Sequence, residues 1–146
     1  MERLLVIEDG DEYEEFARLF LADRYEVVPA RSATEALAAM ETPGADAMLI
    51  DLRFERADEA DLLGDADEMA ARLFAGDRAR AARWLKEQQG TLILGALRDA
   101  GHAQPAVFVH DFPARRLANL RALYGRVGAV PSFDAQAIVR ALERLA

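Results

Sequence analysis

Three acidic residues stand at the ends of two predicted strands. Glu8 and Asp9 close the apolar run Leu4-Leu5-Val6-Ile7, and Asp51 closes Met48-Leu49-Ile50. In a parallel α/β sheet, strand ends of this kind open onto one carboxyl edge, where such sheets place their ligand sites. Carboxylates gathered there repel one another unless a cation joins them. Oxygen donors suit a hard ion, so the edge is a candidate Mg²⁺ site. Asp51 is the candidate phosphate acceptor.

The elements that must position these residues follow from periodicity. Leu4–Ile7 is short, continuous and apolar, as a buried strand is. Asp11 and Glu14 form an Asp-x-x-Glu start signal for a helix carrying Tyr13, Phe16, Ala17, Phe20 and Leu21 on one face. Tyr25–Pro29 is a second strand. Ser32 and Glu35 form a capping box before a helix through Ala36, Leu37 and Met40, which Pro43-Gly44 ends. Ala47–Ile50 is the third strand. This β-α-β-α-β order predicts a parallel sheet with helices on both faces.

Between Phe54 and about Gln89 no strand signal appears. Glu55 through Glu68 is acidic, with Leu62-Leu63-Gly64 as an apolar island. A helix is predicted from Asp65 to Ala75. After Gly76, Asp77 caps a second helix through Ala81, Trp84 and Leu85. Arg72, Arg78, Arg80 and Arg83 follow the acidic stretch and are expected to pair with it. Trp84, with Leu73, Phe74 and Leu85, either seals this segment to the body of the protein or offers a partner face. Beyond Gly90 the alternation resumes: a helix to Gly101, a strand at Ala106–Val109, a helix bearing Leu117, Leu120, Leu123 and Tyr124, a strand at Val127–Val130, and a last helix. The total is five strands, five main helices and one insertion, read as a single domain over residues 1–146.

Composition narrows the function. Of 146 residues, 52% are hydrophobic and 30% charged, an ordinary globular balance. The net charge of −8 disfavours attraction to nucleic acid or an anionic membrane. Without cysteine, disulfides, thiolate metal sites and cysteine nucleophiles are excluded. No signal peptide is visible and no apolar run is long enough to span a bilayer, so the expected location is cytoplasmic.

The chain resembles response-regulator receiver domains of two-component signalling. The segment LLVIEDGDEYEEFARLFL (4–21) is similar to their first strand, acidic pair and first helix. ADAMLIDLRF (45–54) resembles the phosphoacceptor strand. GTLILGALRDAGHAQPAVFV (90–109) resembles the third helix and fourth strand, and SFDAQAIVRALERL (132–145) the opening of the last helix. The resemblance spans nearly everything except about 54–89. It implies a flavodoxin-like, doubly wound five-stranded sheet, with the inserted helical segment between strand 3 and helix 3. It implies transfer of a phosphoryl group to Asp51 from a histidine kinase or phosphotransfer protein. Glu8 and Asp9 would hold Mg²⁺ directly or through water, with Asp51 and the backbone carbonyl of Arg53 as further ligands. Output would pass through contacts with a downstream signalling protein rather than through enzymatic turnover.

The departures from that family are specific. Receivers carry Ser or Thr at the end of the fourth strand and Lys at the end of the fifth. Here His110 falls at the first position, and Pro131 or Ser132 at the second. The only lysine is Lys86, so none follows the fifth strand. The aromatic switch position, three residues before the Lys, falls on Gly128. His110 either contacts phosphate, acts as a pH-sensitive group, or only packs at a strand end. Arg115, Arg116 and Arg121 form either a partner face or a solvated one. His110 lies 59 positions after Asp51 (110 minus 51), about twice the usual spacing. The insertion therefore emerges beside the pocket. There it could form a lid, lengthen the third helix, or support a homodimer.

Other readings remain. A pseudo-receiver would bind a protein partner regardless of phosphorylation, as the missing lysine suggests. A Mg²⁺-dependent hydrolase using an Asp51 aspartyl-phosphate would need a second acid two positions on, where Arg53 stands. A flavin or nucleotide site would need a phosphate-cradling loop, and Glu8-Asp9-Gly10-Asp11 is too acidic for one.

Overall fold

The computed structural model describes all 146 residues. Its five strands are β1 (Glu2–Ile7), β2 (Tyr25–Ala30), β3 (Ala47–Ile50), β4 (Ala106–Val109) and β5 (Val127–Val130). They form one parallel sheet in the order β2-β1-β3-β4-β5. That is the flavodoxin-like order, whose switch point lies between β1 and β3. Ile7 of β1 is in register with Ile50 of β3, so Glu8 and Asp51 leave neighbouring strands at the same level.

The helices are α1 (Glu12–Phe20), α2 (Ala33–Glu41), α3 (Ala66–Leu73), α4 (Arg78–Glu87), α5 (Gln89–Asp99), α6 (Ala114–Tyr124) and α7 (Ala135–Leu145). Because both faces of the sheet are covered, Leu4 through Ile7 are all fully buried, as strands of parallel sheets are. Alternate residues feed two cores. Leu5, Ile7, Met48, Ile50 and Phe108 face α2, α5 and α6. Leu4, Val6, Leu49 and Val107 face α1 and α7.

The predicted elements are all present, with their ends moved by up to a few residues. Two capping expectations differ in detail. Asp11 precedes α1 but makes no side-chain cap; instead Glu8 reaches over from the end of β1. Ser32 does accept the Glu35 amide, whereas the Glu35 carboxylate accepts the amide of Arg31 rather than that of Ser32.

The insertion contains a short 3-10 turn (Glu59–Asp61) followed by α3 and α4. Asp77 caps α4 as its sequence position predicts, and Asp65, expected as the first helical residue, caps α3 instead. Arg78 pairs with Glu59 and Asp67, and Arg72 with Glu68, so the expected pairing holds for two of the four arginines; Arg80 lies over the Phe74 ring instead, and Arg83 makes no ion pair. Phe54, Leu62 and Leu85 are buried in the core beneath α2 and α5. Trp84 packs on Phe74 with ring centroids 6.4 Å apart. Leu73 remains 58% exposed. The segment is thus sealed to the body by Phe54, Leu62 and Leu85, with Leu73 on its outer side. Only Gln88 separates α4 from α5, so the insertion prolongs the third main helix of the receiver-like frame.

Candidate functional site

The carboxyl edge gathers the residues singled out by the sequence, but each is engaged differently. Glu8 is only 1% exposed. Its two carboxylate oxygens accept the Tyr13 and Glu14 amides, at 2.9 and 2.8 Å. These are free amides of the first turn of α1, and an anion there is favoured by the helix dipole. Burial nonetheless pushes Glu8 above its ordinary pKa, against those two bonds and Arg31. Asp9 accepts the backbone N–H of Arg56 at 2.7 Å, and the Arg56 guanidinium pairs with Glu12. The start of the insertion is thereby joined to the acidic loop through Arg56.

Asp51 is half-buried at the end of β3. Its hydrogen bonds reach only Oδ1, from the Arg53 amide at 3.2 Å and the Tyr13 hydroxyl at 3.4 Å. Burial pushes its pKa up to about 6, the Arg53 amide opposes this, and the charges of Asp9 and Glu8 add to it. Asp51 is thus a carboxylate with acid neighbours and an oxygen, Oδ2, with no protein donor.

Glu8, Asp9 and Asp51 do not converge as a three-residue metal cluster. A smaller donor set still fits Mg²⁺, which binds through one or two carboxylates and keeps several waters. Asp9 follows β1, Asp51 ends β3 and Arg53 lies two residues further on, so the two carboxylates and the Arg53 carbonyl would supply hard oxygen donors; burial, with the charges of Asp9 and Glu8 adding to it, raises the Asp51 pKa. Glu8, committed to its helix cap, suits a role through water.

His110 follows β4, and its amide donates to Val130. Its ring meets Phe112 edge-on, with centroids 4.6 Å apart. Burial lowers its pKa, and Arg53 and Arg116 add to the effect. Arg116 lies over the Phe112 ring, 5.1 Å from its centroid, and bonds the side chain of Gln88. Arg121 donates to the carbonyl of Val127, so two of the three α6 arginines are tied down within the protein. Pro131 and Ser132 are exposed beyond β5, and the chain carries no Lys or Arg between Arg126 and Arg140.

Sequence reasoning missed two residues. Tyr13 was placed on the apolar face of its helix, and it is buried there. Its hydroxyl, however, lies at the polar edge, 3.2 Å from the carbonyl of Val109 as well as beside Asp51. No local signal in the sequence marks these contacts, whose partners lie 38 and 96 residues away. Gly90, taken as a boundary, donates to the carbonyl of Leu52 and packs directly on the backbone of Asp51.

No protein-family model matches the chain, and no curated protein sequence does either. Solved structures do match. A chemotaxis protein of Vibrio cholerae is 16% identical, with a TM-score of 0.66, covering 100% of this chain and 99% of its own. A two-component response regulator from Clostridium difficile is 9% identical, with a TM-score of 0.65 and coverage of 99% and 95%. The receiver domain of NtrX from Brucella abortus is 16% identical, with a TM-score of 0.61 and coverage of 97% and 96%. No helix of the chain is long and apolar enough to cross a membrane. With its strand order and these neighbours at nearly full length, the chain has the fold of response-regulator receiver domains.

Proposed function

We propose that this protein is a receiver-like signalling domain in which Asp51 accepts a phosphoryl group. One observation carries the reading: Asp51 ends the central strand at the switch point, beside Glu8 and Asp9, with Oδ2 free of protein donors. In the transfer, Oδ2 attacks phosphorus and forms a P–O bond. The P–N bond to the donor imidazole of a histidine kinase or phosphotransfer protein breaks, and its electron pair stays on the imidazole. Nothing is oxidised or reduced. Asp51 must be ionised to attack, so a pKa near 6 leaves it competent at neutral pH. Bound Mg²⁺, held by Asp9, Asp51 and the Arg53 carbonyl, would neutralise charge on the transferring group. The amide of Arg53 orients the carboxylate through Oδ1. The modified site would then be read by a downstream protein, and the domain would act in the cytoplasm.

The test is intact-protein mass after incubation with Mg²⁺ and acetyl phosphate. A single phosphoryl adduct that disappears in Asp51→Asn is expected. No adduct, or one that persists in the variant, would sink the reading.

A pseudo-receiver is the second reading, and it is favoured by the strand ends. Exposed Pro131 and Ser132 stand where a lysine would be, and the His110 ring is packed on Phe112. A well-formed lysine–phosphoryl bond is worth roughly 1.5–3 kcal/mol. Its loss weakens the phosphorylated state without forbidding it.

A further inference from the structure

If Asp51 is phosphorylated, something other than lysine and a short hydroxyl must meet the phosphoryl oxygens. The one side-chain hydroxyl in contact with Asp51 belongs to Tyr13, from the first turn of α1. Its ring is fixed from outside by Phe133, edge-on at 4.8 Å. Phe133 comes from the loop after β5, the loop that lacks the lysine. The phenol has one proton and two acceptors, the Val109 carbonyl at 3.2 Å and Asp51 Oδ1 at 3.4 Å. Both distances exceed the roughly 2.7–2.8 Å of a good O–H···O bond. The donor is therefore present but incompletely used. Burial, reinforced by the Asp51 charge, raises its pKa, so it stays protonated at any physiological pH.

We infer that the Tyr13 hydroxyl is the group that contacts the phosphoryl group transferred to Asp51, replacing the hydroxyl and lysine that the chain lacks at the ends of β4 and β5. A charged phosphoryl oxygen is a stronger acceptor than a neutral carbonyl. The phenol proton leaves the shared position and bonds it. No bond to Tyr13 is made or broken covalently. The Tyr13 ring contacts Phe133, and Phe16 packs on Phe133 at 4.8 Å. The contact thus ties the acceptor to the aromatic face of α1.

This inference rests on Asp51 being the acceptor, and the test separates the two. Adduct formation from acetyl phosphate, and its loss after the donor is removed, are followed by intact mass with Mg²⁺ at pH 7.5, in the unmodified chain and in Tyr13→Phe. The reaction is attack of Asp51 on phosphorus with departure of acetate. Tyr13→Phe keeps the ring and its packing on Phe133, and equal thermal midpoints confirm the fold. The expected result is formation about tenfold slower in the variant. Once acetyl phosphate is removed, the adduct should also be lost several-fold faster in the variant, because a phosphoryl oxygen has lost its donor. The other groups around Asp51, namely Glu8, Asp9 and the Arg53 amide, with His110 facing Arg53, are the same in both proteins and cancel. A formation rate equal to or above that of the unmodified chain, or slower formation with an unchanged adduct lifetime, overturns the inference while Asp51 stands. No adduct in the unmodified chain overturns the Asp51 reading, and the inference with it.

Discussion

Gly90 lies so close to Asp51 that a Cβ on it would stand 2.3 Å from the Asp51 carbonyl oxygen and 2.8 Å from the Cα of Leu52. Both obstacles are backbone, at the end of the central strand, and neither can rotate away. The far end of the insertion is thereby brought against the candidate acceptor. Gly90→Ala is expected to destabilise the protein by about 3 kcal/mol or more, the upper end for overpacking, because no side chain can yield. Urea unfolding measures it. A variant within about 0.5 kcal/mol of the unmodified chain would show that α5 does not press on β3 in solution.

Asp51 and His110, two of the shifted groups near the pocket, act oppositely on stability. The folded state holds the Asp51 proton to a pKa of about 6, against 3.8 for the ordinary group. Between those values the folded state binds more protons, so this contribution falls as pH rises through the window. His110 is lowered from 6.5, so its contribution is lost as pH falls through that region. Asp51→Asn should remove the first slope and raise stability at pH 8 by about 1–2 kcal/mol, after allowing for solvent screening of a half-buried group. Thermal unfolding from pH 4 to 8 decides it, and an unchanged pH profile would contradict the Asp51 assignment.

Mg²⁺ should raise the melting temperature of the unmodified chain at pH 7.5, because an ion binding only the folded state stabilises it by mass action. Asp51→Asn should lose most of that increment. Calorimetric scans with and without millimolar Mg²⁺ test this, and an equal increment in both proteins would place the ion elsewhere.

Glu8 binds two first-turn amides of α1, so it is a helix cap supplied from the preceding strand. Glu8→Ala should cost about 1–2 kcal/mol, the range of a strong cap. It should also lower the Asp51 pKa by removing a like charge. Denaturation and carbonyl NMR titration read the two effects separately. If stability were unchanged, the cap would be unimportant.

Gln89 is fully buried and stitches the insertion to α5. Its amide oxygen accepts the Leu63 amide at 2.7 Å, and its nitrogen donates to the carbonyls of Leu63 and Leu85. Gln89→Ala should cost about 2–3 kcal/mol through the groups left unpaired. Amide exchange at Leu62 to Gly64 should quicken well before exchange in β1 and β3. Uniform quickening would mean that the insertion has no stability of its own to lose.

Much of the fold was legible along the chain. The apolar runs ending at Ile7, Ile50, Val109 and Val130 marked four of the strands, since parallel strands are buried on both faces and carry no alternation. Asp77 was readable as a cap because a cap acts within its own turn. The acids at the ends of β1 and β3 followed from the same local logic, since a parallel sheet places successive strand ends on one edge. The absence of a lysine after β5 needed only the composition.

Tertiary structure decided what each of those acids does. Local spacing pointed to Asp11 and Glu14 as the start of α1, yet the cap comes from Glu8, because the chain turns sharply after β1 and carries that carboxylate onto the helix axis. Nothing near Tyr13 in sequence reveals Asp51 or Val109, which are 38 and 96 residues away. The bare backbone of Gly90 has meaning only once α5 has docked on β3. The residue types and strand order were thus properties of the sequence. The hydrogen-bond partners at the edge arise from contacts between distant segments, which only the packed sheet and helices bring within a few ångströms.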